Sequence, residues 1–267
     1  MIAVSAGRAD VVDFLIDKAK ADVNVVNSTG QCPLHYAASK NQLKMSKIEL
    51  WQVAYEGKGK EFYQMLQSDP QNLNFVDKTG RNLLHWAACG GHLEFVKTLI
   101  SRGLDKDAKD NSCWTPLMIA VSAGRADVVD FLIDKAKADV NVVNSTGQCP
   151  LHYAASKNQL KMAEHLLAAG ANVNVRDWAG TTPLHRAISL GYLDIAKLLL
   201  DRGPPSLVSV ADNEGSTALH FACEEGSMSG AKLLLEYGAS VTCQNKASPR
   251  PELIQYHVHH TGFYRFF

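Results

Sequence analysis

The sequence predicts an all-α solenoid of units about 33 residues long, each a helix, a turn, a second helix and a β-hairpin-like turn. Three observations predict it. A four-residue block related to T-P-L-H recurs along the chain. An Asp or Asn stands five residues before each block. The units return at nearly constant spacing, opening at Asp77, Asp110, Asn144, Asp177 and Asp212, which are 33, 34, 33 and 35 residues apart.

The blocks read N-L-L-H from Asn82 to His85, T-P-L-M from Thr115 to Met118, C-P-L-H from Cys149 to His152, T-P-L-H from Thr182 to His185 and T-A-L-H from Thr217 to His220. Block and period together are the signature of ankyrin repeats. Residues 46–76 read as a degenerate first unit. Ile48, Leu50, Trp51, Val53 and Ala54 suggest one helix, and Phe62, Met65 and Leu66 a second. End units of solenoids are atypical because one face meets water, so this one fits an N-terminal cap. From Asp77 onward each position has a physical role. The opening carboxylates bond nearby amides of a turn. Gly80, Gly147, Gly180 and Gly215 supply a positive φ. Cys113 stands where that glycine belongs, so its turn is expected to be distorted. Thr115, Thr182 and Thr217 suit the helix cap, and Pro116, Pro150 and Pro183 the first helical position. The second helices carry apolar residues at i, i+3 and i+4, as in Val128, Val129, Leu132 and Ile133, or Ile195, Leu198 and Leu199.

Both ends depart from the pattern. Residues 1–44 duplicate 118–161 letter for letter, and the identity runs on to Met45 and Met162. Functional repeats diverge, so such identity indicates a very recent duplication or a gene-model error; the second reading makes Met45 the natural start. Residues 45–244 form the solenoid. In 245–267 the next block never arrives, and the tail reads as a truncated or alternatively spliced last unit. Its His257, His259 and His260 do not make a metal site on sequence grounds alone.

Composition narrows the function. Lys plus Arg equals Asp plus Glu at 27 each, so no global field favours nucleic acid or an acidic membrane. No apolar run approaches the roughly 18 residues of a membrane span. The six cysteines form no C-x-x-C pair and read as free thiols of a reduced interior. His85, His152, His185 and His220 fall one per unit and are expected to bond between adjacent repeats rather than to act as bases or ligands. No phosphate loop, metal spacing or non-repeat domain is present, so no enzyme activity and no cofactor are expected.

The chain from Ser46 to Lys246 also resembles the gankyrin family, ankyrin-repeat proteins of the proteasome regulatory particle. The resemblance rests on A-Y-E-G-K at 54–58, L-H-W-A at 84–87, S-A-G-R at 122–125, P-L-H-Y-A-A-S-K-N at 150–158 and A-C-E-E at 222–225. It implies a non-catalytic chaperone of the cytoplasm and nucleus, binding the C-terminal domain of an Rpt3-like proteasomal ATPase subunit. It also implies possible partners in a cyclin-dependent kinase, the ubiquitin ligase that controls p53 and retinoblastoma protein. The last is ascribed in the family to L-x-C-x-E, which here reads Phe221-Ala222-Cys223-Glu224-Glu225. Kinase binding is the alternative to the chaperone reading.

The expected contact surface is the concave one, made of turn tips and exposed inner-helix positions. Lys78, Arg81, Arg125 and Lys157 make its first units basic; Glu214, Glu224 and Glu225 make the last acidic. Arg81, Arg125 and Lys157 match positions with which the family grips acidic residues of the ATPase. Trp114 and Trp178 are expected to project from turns as aromatic anchors. The residue after each block's fourth position (Trp86, Ile119, Tyr153, Arg186, Phe221) is expected in the core.

Overall fold

The computed structural model describes residues 50–246. The duplicated segment 1–44, the first residues of the degenerate unit and the tail beyond Lys246 lie outside the described residues.

Twelve α-helices occur among the described residues, in six pairs. The first pair is α1 (Leu50–Glu56) with α2 (Gly59–Ser68). Then come α3 (Leu83–Gly90) with α4 (Leu93–Ser101), and α5 (Pro116–Ser122) with α6 (Ala126–Asp134). The remaining pairs are α7 (Pro150–Ser156) with α8 (Leu160–Ala168), α9 (Pro183–Ser189) with α10 (Leu193–Arg202), and α11 (Ala218–Glu224) with α12 (Met228–Glu236). The odd-numbered inner helices stack in one row, α1 on α3, α3 on α5 and so on to α11, and α4 to α12 stack in a second. Phe62 of α2 joins that second row by stacking on Phe95 of α4, with centroids 3.9 Å apart. The fold is an all-α repeat solenoid.

Small residues let the inner row close. Ala87, Ala88, Ala154 and Ala155 are fully buried where inner helices meet. The outer helices bring the longer apolar side chains, and Val128, Val129, Leu132, Ile195 and Leu199 are likewise fully buried. The prolines occupy the first turn of α5, α7 and α9 as expected.

Between pairs, the hairpin-like element is a tight turn. Among the described residues its pairing is limited to isolated bridges, Val76 with Asn82 and Ala211 with Thr217. In each turn one side-chain oxygen of the opening residue accepts two main-chain N–H groups. Asp77 Oδ1 takes those of Thr79 and Arg81 at 2.7 and 3.0 Å, and Asp212 Oδ1 those of Glu214 and Ser216 at 2.9 and 2.8 Å.

The Cys113 turn is not distorted, contrary to expectation. Cys113 adopts φ 59°, and its N–H reaches the Asp110 carbonyl at 2.9 Å, as the Gly147 N–H reaches that of Asn144 at 2.9 Å. The turn keeps its shape because the strain sits in the Cys113 backbone, where a side chain meets the following carbonyl.

The block histidines hold the units together in two cases. The cap N–H of Cys149 donates to His152 Nδ1 at 3.2 Å, so that nitrogen carries a lone pair and the proton sits on Nε2. Nε2 then donates to the Thr181 carbonyl of the next unit at 3.1 Å, and His85 does the same to Trp114 at 3.1 Å. In His185 and His220, Nδ1 is engaged by Thr182 and Thr217 in the same way, but Nε2 reaches no acceptor. The unit that holds His185 runs to 35 residues, and its linker holds a 3-10 turn, Pro205–Ser209. Burial is the first cause that pulls all four below the ordinary histidine value, His185 to about 4.

Candidate protein-binding face

The turn tips join into one ribbon. The N–H after each opening residue donates to the preceding tip: Asn111 to Thr79, Ser145 to Ser112 and Trp178 to Thr146 at 2.9 Å, and Asn213 to Ala179 at 3.0 Å. Lys246 continues the series by donating to the Glu214 carbonyl at 2.9 Å. A continuous ribbon beside a continuous row of inner helices gives an extended surface with fixed spacing along it.

In three units the second polar atom of the opening residue ties this ribbon to the inner helices. Asp77 Oδ2 accepts from Trp86 Nε1 at 3.0 Å, Asn144 Nδ2 donates to Tyr153 Oη at 2.8 Å, and Asp177 Oδ2 accepts from Arg186 Nη2 at 2.8 Å. These partners stand nine residues after the opener. In the Asp110 unit that position is Ile119, which offers no donor; Arg81 of the preceding turn supplies one, Nε to Asp110 Oδ2 at 3.0 Å. The row expected in the core therefore divides. Ile119 is buried, whereas Trp86, Tyr153, Arg186 and Phe221 are half-buried along the inner face.

The charged residues separate into two groups. Lys78, Arg125 and Lys157 are exposed in successive early units, and Glu224 and Glu225 are exposed at the end of α11. Arg125 lies across the preceding loop, its Nε donating to the Cys89 carbonyl at 2.9 Å. Gly91 makes room for it, since a Cβ there would stand 2.8 Å from Arg125 Cδ. Arg81 is different. It is half-buried, holds Asp110, and its guanidinium lies 5.4 Å from the Trp86 ring centre. Glu214 faces Lys246 Nζ at 3.4 Å, which offsets part of the charge of the last tip.

The two tryptophans also differ. Trp114 does not project: its ring lies 4.5 Å from that of Tyr153 and is half-buried. Trp178 is 68% exposed, yet fixed. Its indole N–H donates to the Ser145 carbonyl, and its own carbonyl accepts from Asn213 Nδ2 at 2.7 Å. Leu190, at the end of the inner helix of the same unit, is 48% exposed. The Phe221–Glu225 window lies in α11, with Ala222 fully buried and the Phe221 ring 5.5 Å from that of His185. Presenting it as an extended motif requires opening that helix.

The family model for ankyrin repeats (3 copies) matches residues 1–48, 50–144, 110–177, 136–208 and 177–245. The chain belongs to the ankyrin-repeat family. It is 37% identical over 132 residues to the probable 26S proteasome regulatory subunit p28 of Saccharomyces cerevisiae, covering 48% of this chain and 58% of that one. It is 36% identical over 106 residues to the ankyrin repeat-containing protein C6C3.08 of Schizosaccharomyces pombe, covering 39% and 45%. Its likeness to the nuclear factor NF-kappa-B p105 subunit of Gallus gallus is 31% over 171 residues, covering 64% of this chain and 16% of that one. The chain thus spans about half the length of the two fungal relatives. Ankyrin repeats are typically non-catalytic protein-interaction modules, and this chain is an ankyrin-repeat protein-binding scaffold. Among the described residues no helix is long and apolar enough to cross a membrane.

Proposed function

We propose that this scaffold serves assembly of the proteasome regulatory particle, in cytoplasm and nucleus, by holding the C-terminal domain of an ATPase subunit against its inner face. The observation that carries the reading is the division of charge on that face. Lys78, Arg125 and Lys157 are exposed in the early units, Glu224 and Glu225 in the last. Opposed charges at two ends of a rigid surface steer a partner of opposite polarity and fix its register. The likeness to the yeast p28 subunit supports the choice of a proteasomal partner.

Capture from native extract tests this. The full-length chain is compared with a form carrying Lys78→Glu, Arg125→Glu and Lys157→Glu. Arg81 is left intact because it holds Asp110. Enrichment of one proteasomal ATPase on the first bait and its loss on the second is the expected result. A cyclin-dependent kinase captured in place of the ATPase would support the alternative partner, and equal capture by both baits would remove the basic end from the site.

A further inference from the structure

We propose that Lys157, Leu190 and Glu225 form a three-rung ladder that receives one α-helix of a partner, with an acidic, an apolar and a basic side chain at seven-residue intervals along it. The proposal rests on the reading of the inner face as the binding face, and names the element that it binds.

The three residues are equivalent. Each stands five residues after its block histidine (His152, His185, His220) and forms the C-terminal cap of an inner helix, α7, α9 and α11. Lys157 and Glu225 are exposed, and Leu190 is 48% exposed. Because α7 packs on α9 and α9 on α11, successive rungs follow the interaxial distance of packed helices, about 8–10 Å. In the two preceding units the same position holds Gly90 and Ala123, too small to lift a ligand off the row.

That spacing selects the partner's secondary structure. Seven residues of α-helix advance about 10.5 Å and return to nearly the same face, with a drift of about 20°. A β-strand covers about 10 Å in three residues, and an odd step turns the side chain to the opposite face. A helix can therefore meet all three rungs from one side. The chemistry then sets the order. An acid pairs with Lys157, a base pairs with Glu225, and an apolar side chain covers Leu190, where the face changes sign. The order of the three side chains along the row is fixed, while the helix itself can run in either chain direction.

The test is a selection of phage-displayed helices, randomised on the outward face of a fixed helical hairpin. The baits are the full-length chain and its Glu225→Lys and Leu190→Ser variants, each checked for an unchanged circular-dichroism melt. The wild type should enrich acid, apolar and base at seven-residue intervals. Glu225→Lys should enrich acids at both ends. Leu190→Ser should bind the wild-type winners about tenfold more weakly, the scale of one buried leucine contact. Winners without the seven-residue pattern, a pattern unchanged by Glu225→Lys, or no winners at all would overturn the ladder. ATPase capture is a separate readout: if it succeeds while this selection fails, the ladder falls and the proposed function stands, and the opposite pair of results does the reverse.

Discussion

At the scale of single residues, strain and protonation make opposite-sign predictions that can be measured. Cys113 holds a left-handed φ of 59° in a place where four other units use glycine. Left-handed backbone costs a residue with a side chain about 1–2 kcal/mol, and glycine gives back about 0.5–1 kcal/mol through its freer unfolded chain. Cys113→Gly should therefore raise stability by up to about 1 kcal/mol in urea unfolding, and a loss would show that the thiol makes a contact worth more than the strain. Gly180→Ala should destabilise, since the new Cβ would stand 2.7 Å from the Asn213 nitrogen in the next tip. The cysteine in the glycine position was legible in the sequence; its effect was not, because a short turn can keep its shape and absorb strain in one residue.

Histidine titration adds a second residue-scale prediction. The block histidines are held neutral, so the stability they lend is complete above their unfolded value of about 6.5 and is lost as pH falls through the depressed folded values. His165 behaves oppositely. Its ring bridges Asp130 and Asp134 of the neighbouring outer helix at 2.8 and 3.0 Å, and the Asp134 bond is the first cause that raises it. That clasp is complete below about pH 6.5 and is lost as pH rises through the raised value. In thermal melts, His165→Gln should fall below the wild type at about pH 5.5 and match it near pH 8.5. A gap independent of pH would mean that the ring acts by packing alone.

At the scale of elements, the turn and the inner helix behave as one piece. In the Asp77, Asn144 and Asp177 units the opening residue closes its turn with one side-chain atom and bonds a side chain of the inner helix with the other. Arg81→Ala would leave the Asp110 oxygen unpartnered on a side chain only 3% exposed. The expected loss is about 1–3 kcal/mol, against about 0.5 kcal/mol or less for alanine at exposed Lys157. Adding Asp110→Asn should recover part of that loss, since Asn144 fills the equivalent place in the next unit. Failure to recover would place the cost in Arg81 packing on Trp86. The sequence showed Asp and Asn opening every turn, and it showed Trp86, Tyr153 and Arg186 in register. Their pairing stayed hidden because the nine-residue interval crosses from turn to helix, and its donors are of three chemical kinds. Likewise Trp114 and Trp178 are both turn residues in the sequence, yet only Trp178 projects. Tyr153 of the following unit offers Trp114 a ring to stack on.

At the scale of the whole molecule, the period was fully legible, since an architecture with one unit per 33–35 residues leaves its signature five times in the chain. The polarity of the inner face was legible as a list of charges. What the structure adds is which of them are engaged: Arg81 in the scaffold, Glu214 beside Lys246, and Lys78, Lys157, Glu224 and Glu225 exposed. The most direct test is an affinity titration of the purified full-length chain with the ATPase C-terminal domain, comparing two charge reversals of equal size. One places Glu at Lys78, Arg125 and Lys157 on the inner face; the other places Glu at Lys97, Lys161 and Lys197 on the outer helices. The expected result is at least a tenfold loss for the inner set, weakening with added salt, and little change for the outer set. Equal losses, or a loss confined to the outer set, would contradict binding through the inner face.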